Sequence, residues 1–316
     1  MTCNNKGSEI ILRASGQMCN LSEVVVRKDD TLETLKAKAR IAAILGTYQA
    51  TQTNFRYLRP IWRKNTEEEA LLGVSLTGIM DHPVLSDHRN PDLRSWLEEL
   101  RQVAIDTNKE WAEKLGINPS TAITCVKPSG TVSQLVDSAS GIHPRFSDHY
   151  IRRVRADAKD PLAHFLREQG VPCEVDVMKD TNLVFSFPIK APEGSVCVDD
   201  VTAMDQLELW MVYQEHWCEH KPSITVYYTD DQFLEVGNFV YKHFDKISGI
   251  SFLPQMEHTY RQAPYEAISA DEYEAMVESM PDVDWSLLKD YEKEDTTVGS
   301  KTYACSAGSC EVVDLA

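Results

Sequence analysis

The chain has 316 residues, 42% of them hydrophobic, enough to bury the core of one large domain or two ordinary ones. No apolar run approaches the roughly 18 residues that a membrane helix requires, and the opening "MTCNNKGSEI" has no apolar signal-peptide core, so a cytoplasmic protein is expected. A formal charge of −17 argues against a general nucleic-acid surface, because phosphate backbones are held by basic patches.

In chain order, residues 8–27, "SEIILRASGQMCNLSEVVVR", predict extended chain around a glycine turn. Thr31 is a suitable N-cap for a helix over "TLETLKAKARIAAILGTYQATQ". Residues 66–82 and 92–117 extend the helical section. "STAITCVKPSGTVSQLV" (120–136) reads as a buried strand, a tight Pro-Ser-Gly turn and the start of another element. "IRRVR" at 151–155 is a local basic cluster able to hold a small anion. Residues 181–189 predict a strand and 201–220 an amphipathic helix. A strand over 223–229, a helix over 231–246 and an extended stretch at 249–254 follow, then a short helix near 270–280. Beyond about residue 290 the composition is polar and charged, which favours a mobile tail. Strands alternating with helices indicate an α/β architecture with parallel strands.

Four stretches can carry chemistry. In "KPSGTVS" (127–133), Pro128, Ser129, Gly130 and Thr131 offer backbone amides, hydroxyls and a glycine that admits close approach of an anion. An ordinary turn with a helix N-cap is the alternative. Glu9 precedes an apolar strand and Cys19 lies ten residues on, a carboxylate and a thiol compatible with proton-coupled redox chemistry, or simply a strand-edge Glu and a buried Cys. "HWCEH" (216–220) puts His216 and His220 on one face of a continuous helix, but the further ligands of a metal site are missing. Of eight cysteines, six are scattered like reduced thiols. The other two, Cys305 and Cys310, are joined by Ser-Ala-Gly-Ser and can close a small disulfide ring and reopen it.

"SEIILRASGQMCNLSEVVV", "NPSTAITCVKPSGTVS" with "HYIRRVR", "EHWCEHKPSITV", "ISFLPQMEHTYRQAPYE" and the terminal "CSAGSC" together resemble the ribonucleotide reductase catalytic subunit. Within it they are most similar to the adenosylcobalamin-dependent (class II) monomeric ribonucleoside triphosphate reductases. The resemblance implies a ten-stranded α/β barrel of two five-stranded halves with a finger loop through its centre, adenosylcobalamin as radical source, a ribonucleotide substrate and a thioredoxin-like reductant. By position, this chain is the second half of that barrel over residues 1–290, starting at the finger loop, with a flexible redox-active tail at 291–316.

Carried over residue by residue, Asn5 and Glu9 are the finger-loop amide and the carboxylate that takes the 3′-hydroxyl proton. Cys19 is one of the two reducing thiols. Pro128, Ser129, Gly130, Thr131, Val132 and Ser133 bind the substrate phosphates, and Cys305 with Cys310 re-reduces the active-site disulfide. The family's radical cysteine falls at Gly7, which has no thiol; Cys3 is the nearby one. The radical thiol then comes from a separate chain supplying the N-terminal half, or from Cys3 in a remodelled loop, or the chemistry has been lost. A non-catalytic binding or regulatory protein, and a fragment of a radical-subunit-dependent (class I) reductase, are the competing expectations.

Overall fold

In a computed structural model of the chain, residues 10, 16–255 and 261–292 are described. In chain order the elements are β1 (Asn20–Val25), α1 (Leu32–Gln49), α2 (Pro60–Glu69), β2 (Leu72–Thr77), α3 (Leu93–Leu115), β3 (Thr124–Cys125), α4 (Gly130–Leu135), β4 (His149–Asp157) and α5 (Pro161–Glu168). These are followed by β5 (Cys173–Val175), β6 (Asn182–Lys190), α6 (Ala203–His216), β7 (Ile224–Tyr228), α7 (Phe233–Lys242), β8 (Ile250–Pro254), β9 (Tyr265–Ala267), α8 (Ala270–Ser279) and α9 (Leu288–Tyr291). They fall into two compact units, one of residues 1–145 with 194–255 and one of 146–193 with 256–316.

The first unit is the α/β part. β1, β2 and β3 pair in parallel in that order, and β7 pairs in parallel with β8. A parallel bridge between Val126 and Pro222 continues the first ladder into the second, with Ser223 N donating to Val126 O at 2.9 Å. The strand order is therefore β1-β2-β3-β7-β8. Side chains alternate across a strand. Here the even positions Val24, Val26, Leu72, Val74, Leu76, Val126, Ile224 and Val226 enter one apolar core, shared with Leu35 and Ala39 of α1, Leu97 and Leu100 of α3, and Leu207 and Trp210 of α6.

Local chemistry sets the helix ends. Thr31 caps α1 as expected, its hydroxyl accepting from Thr34 N while the Thr34 hydroxyl accepts from Thr31 N. The buried face of α1 is built of Ala39, Ala42, Ala43 and Gly46, small enough to bring the helix against β2; a Cβ at Gly46 would stand 3.1 Å from the Leu72 side chain. Gly116, in the left-handed conformation (φ 67°), ends α3.

Two expectations are corrected in this unit. The helical reading of 66–82 fails beyond Glu69: Ala70 turns left-handed (φ 45°), and Leu72–Thr77 is a strand buried at all six positions. A central strand of a parallel sheet is covered on both faces, so it carries no alternation to distinguish it from a buried helix. The single helix over 201–220 stops at His216, so His216 and His220 do not share a helical face. His216 Nδ1 lies 2.7 Å from Glu98, and His220 Nε2 donates to Leu72 O at 2.6 Å. Between them Trp217 is fully buried and donates to Cys125 O at 2.7 Å, as Trp210 donates to Pro222 O at 2.8 Å.

The second unit departs from the parallel pattern. Its sheet, in the order β5-β6-β4-β9, is antiparallel throughout, with Ala163, Val171, Leu183 and Phe185 as its core. The basic cluster "IRRVR" lies in β4, and two of its three charges are taken up by carboxylates of the same unit, while Nε and Nη1 of Arg152 are buried without a hydrogen-bond partner among the described residues. Arg153 pairs with Glu266, Arg155 pairs with Asp176, and Arg152 lies 4.4 Å from the ring centre of Tyr265.

One buried ion pair ties the first unit together. Asp81 accepts from Arg145 Nε at 2.9 Å and Nη2 at 3.0 Å, from Ala139 N at 2.8 Å and from the Ser195 hydroxyl at 2.9 Å. Burial opposes the charge of Arg145, but Asp81 and Asp137 outweigh it and hold the guanidinium protonated. Asp81→Ala leaves that charge buried without its main partner and is expected to cost about 3–5 kcal/mol in denaturant unfolding. Arg63→Ala, which breaks the exposed pair with Glu67, is the matched control and should leave the midpoint unchanged.

Candidate active site

The odd-numbered face of the same strands is of another kind. Glu23 of β1 is in register with Ser75 of β2, and Ser75 with Cys125 of β3. This row of polar and sulfur-bearing side chains carries the "KPSGTVS" loop. Lys127 N donates to the Ser75 hydroxyl at 2.9 Å, Ser129 N to the Ser140 hydroxyl at 2.9 Å, and the Ser129 hydroxyl to Glu23 Oε2 at 2.7 Å. Behind the loop, the Thr77 hydroxyl donates to Ala139 O and accepts from Gly141 N, both at 2.9 Å.

Ser129 stands at the N-cap position of α4, yet its hydroxyl makes no capping bond and turns to the carboxylate. Val132 and Ser133 donate their amides to Ser129 O, whereas the amides of Gly130 and Thr131 have no partner among the described residues. Gly130 is exposed, has a positive φ of 35°, and has nothing within 4 Å of where a Cβ would be. The loop thus offers two uncommitted amides and the exposed Thr131 side chain beside an open space, a donor set suited to an oxyanion.

Gly73 joins this site to the chain's beginning. A Cβ there would collide with Leu21 Cδ2 and lie 3.1 Å from Ile10 Cδ1 and 3.4 Å from Cys125 Sγ. The gap left by the missing side chain is where Ile10, 3% exposed, seats against the sheet next to Cys125. Ile10 and Leu21 therefore meet Cys125 on one face of the sheet. Cys19 is half-buried and immediately precedes β1. Asn5, Glu9, Cys3, Cys305 and Cys310 lie outside the described residues, as does Gly7. Among the described residues no group of three or more His, Cys, Asp or Glu side chains is arranged to hold a metal ion, and no helix is long and apolar enough to cross a membrane.

Sequence reading missed Glu23, Ser75, Ser140 and His143. The one available signal was a carboxylate in the apolar strand "LSEVVV". His143 is fully buried; its Nδ1 donates to Ser140 O and its Nε2 accepts from Thr225 N, each at 2.9 Å, so it bridges the loop to β7 as a neutral ring. Burial holds its pKa below the usual value, against the pull of the Ser140 carbonyl. Burial likewise raises the pKa of Glu23, against the Ser129 hydrogen bond and the Lys127 charge.

Two outcomes are expected. Gly141 has φ 59°, and a Cβ there would meet Lys127 O at 2.6 Å, so Gly141→Ala should cost about 1–3 kcal/mol. It should cost more than Gly116→Ala, which has a similar φ but nothing nearby, and both are read by denaturant unfolding. A histidine held neutral in the fold contributes stability above its unfolded pKa of about 6.5 that is lost as pH falls. Unfolding free energy should accordingly drop between pH 7 and pH 5, and drop less in His143→Gln.

No family model matches the chain. Among curated proteins it is similar to the adenosylcobalamin-dependent ribonucleoside-triphosphate reductase of Euglena gracilis, 30% identical over 272 aligned positions that cover 83% of this chain and 36% of that protein. The protein of the same description from Lactobacillus gasseri is 28% identical, covering 85% of this chain and 40% of the relative. That of Lactobacillus acidophilus is 27% identical, covering 98% and 45%. The chain thus spans less than half the length of the curated relatives it matches. Its fold is that of part of a solved B12-dependent (class II) ribonucleotide reductase, with a TM-score of 0.74 at 24% identity over 92% of this chain and 44% of that one. Sequence and fold together make this chain a homologue of the adenosylcobalamin-dependent ribonucleoside-triphosphate reductases, corresponding to their C-terminal half.

Proposed function

We propose that the chain is the C-terminal half of a split, cytoplasmic ribonucleotide reductase that converts ribonucleotides to 2′-deoxyribonucleotides by radical chemistry together with a separate N-terminal-half chain. The observation that carries this reading is the convergence of Ile10, Cys125 and the Ser129 loop on one polar sheet face, because the reaction requires a finger-loop carboxylate and a phosphate cradle in one place. The parallel order β1-β2-β3-β7-β8 supplies five strands, the number needed for half of a ten-stranded barrel.

In this reading the amides of Gly130 and Thr131, with the hydroxyls of Ser129 and Thr131, hold the substrate's phosphates; Ser133, expected among them, is instead fully buried with its hydroxyl donating to Gly130 O at 2.9 Å, and it shapes the loop. Glu9 takes the 3′-hydroxyl proton, with Asn5 beside it. Cys19 and a thiol from the partner chain deliver the two electrons that reduce the 2′ carbon and end as a disulfide. Cys305 and Cys310 re-reduce that disulfide by thiol exchange and are themselves reduced by a thioredoxin-like protein. The relatives are named for adenosylcobalamin, and we extend that cofactor, as the source of the initiating radical, to the complete assembly. The described donors here are hydroxyls and amides suited to a phosphate, without a metal-holding group, so no contact to the cofactor is assigned to this chain.

Gly7 at the radical cysteine's place favours a second reading, a non-catalytic binding or regulatory protein that keeps the fold as an interaction surface. Co-expression with N-terminal-half chains, followed by an assay for cofactor-dependent deoxynucleotide formation, separates the two. Turnover supports the split enzyme; a stable complex without turnover selects the second reading. In the working complex, Cys305→Ser or Cys310→Ser should abolish turnover with a thioredoxin-like reductant and spare it with a small dithiol, which reaches the inner disulfide directly. Equal loss with both reductants rejects the shuttle.

A further inference from the structure

Glu23 places a carboxylate where the reading above places a phosphate. Its Oε2 accepts a hydrogen bond from the Ser129 hydroxyl at 2.7 Å, so that hydroxyl points into the sheet face and not towards the open space beside Gly130. The described groups around Glu23 come from each neighbouring element. They are Ser75 of β2 and Cys125 of β3 in its register row, and Lys127 and Ser129 from the loop. Beyond the end of β1, Arg27 is committed to the carbonyls of Val136 and Asp137. Lys127 is thus the one described cation close to the carboxylate, set against its own charge and that of any anion in the cradle.

An anion entering beside Gly130 and Thr131 meets two obstacles in this arrangement. The ionised carboxylate repels it at short range, in a site partly removed from water. The carboxylate also holds the hydroxyl that the anion needs as a donor. One event removes both: a solvent proton neutralises Glu23, and the Ser129 hydroxyl rotates from the uncharged acid to the anion. Burial already favours the neutral acid over what Ser129 and Lys127 do for the charged form.

We propose that Glu23 is a positioning residue of the phosphate loop, and that binding of a polyphosphate anion at residues 128–133 is accompanied by uptake of one proton at Glu23. The proton comes from solvent and returns when the anion leaves; only hydrogen bonds and this one O–H bond change. The proposal rests on reading residues 128–133 as the phosphate site.

The test is calorimetric titration of the full chain, in its native assembly, with inorganic triphosphate and with a ribonucleoside triphosphate. Buffers of different ionisation enthalpy are used between pH 7.5 and 8.5, where phosphate groups with a second pKa near 6 are already ionised. The native protein should take up protons on binding, and its affinity should fall by up to about tenfold across that range. Glu23→Gln should take up none and bind with an affinity independent of pH. Binding without proton uptake by the native protein overturns the role of Glu23 and leaves the phosphate loop standing, as does unchanged uptake in Glu23→Gln. Absence of any binding overturns both. Should the variant fail to fold, infrared difference spectra of the native protein decide: a protonated carboxyl band appearing with the anion supports the proposal, and its absence rejects it.

Discussion

Everything in the first unit depends on how a parallel strand divides its side chains. In β1, β2 and β3 the even positions are Val and Leu with one Asn, one Ser and one Thr, and most of them enter the core beneath α1, α3 and α6. The odd positions include Glu23, Gly73, Ser75, Thr77 and Cys125. Burial of the first set fixes the register, and the register then lines up the second set as Glu23, Ser75 and Cys125 across three strands. A slip of one residue would drive the carboxylate into the core and turn the valines out. The chemistry of one face is therefore held in place by the apolar contacts of the other.

The loop after β3 shows the same economy. Its conformation is set by Ser75 at Lys127, by Ser140 and Glu23 at Ser129, and by the absence of a side chain at Gly141. With Ser129 turned inward, the amides at the start of α4 are left without a side-chain acceptor. The arrangement exposes donors on a backbone that is otherwise fully tied, which is what a preorganised anion cradle requires.

How much of this was legible in the sequence depended on the range of the interaction. Local signals served well: Thr31 marked the start of α1, the spacing of 92–117 marked α3, and "KPSG" marked the turn. β2 was misread because a strand covered on both faces leaves no period. β4 was read for its charges, since nothing in "IRRVR" announces that Glu266 and Asp176 will meet two of them. "HWCEH" looked helical throughout because the stop at His216 comes from Trp217 and Cys218 entering the core. The pairing of Glu23 with Ser129 joins residues 106 positions apart and follows only from the sheet register. The family resemblance is what assigns residues 128–133 to phosphate in the proposed function, since composition and spacing alone did not choose between an anion site and an ordinary turn.

The two buried indoles carry a consequence of their own. Trp217 donates to the carbonyl of Cys125, next to the bridge that joins the two ladders of the sheet, and Trp210 to that of Pro222, one of the two bridge residues. Indole emission responds to the polarity around the ring and to its hydrogen bond. The molecule thus holds a pair of intrinsic optical gauges at the seam between β3 and β7, so that parting of the strands there would be visible as a shift in colour without any added label.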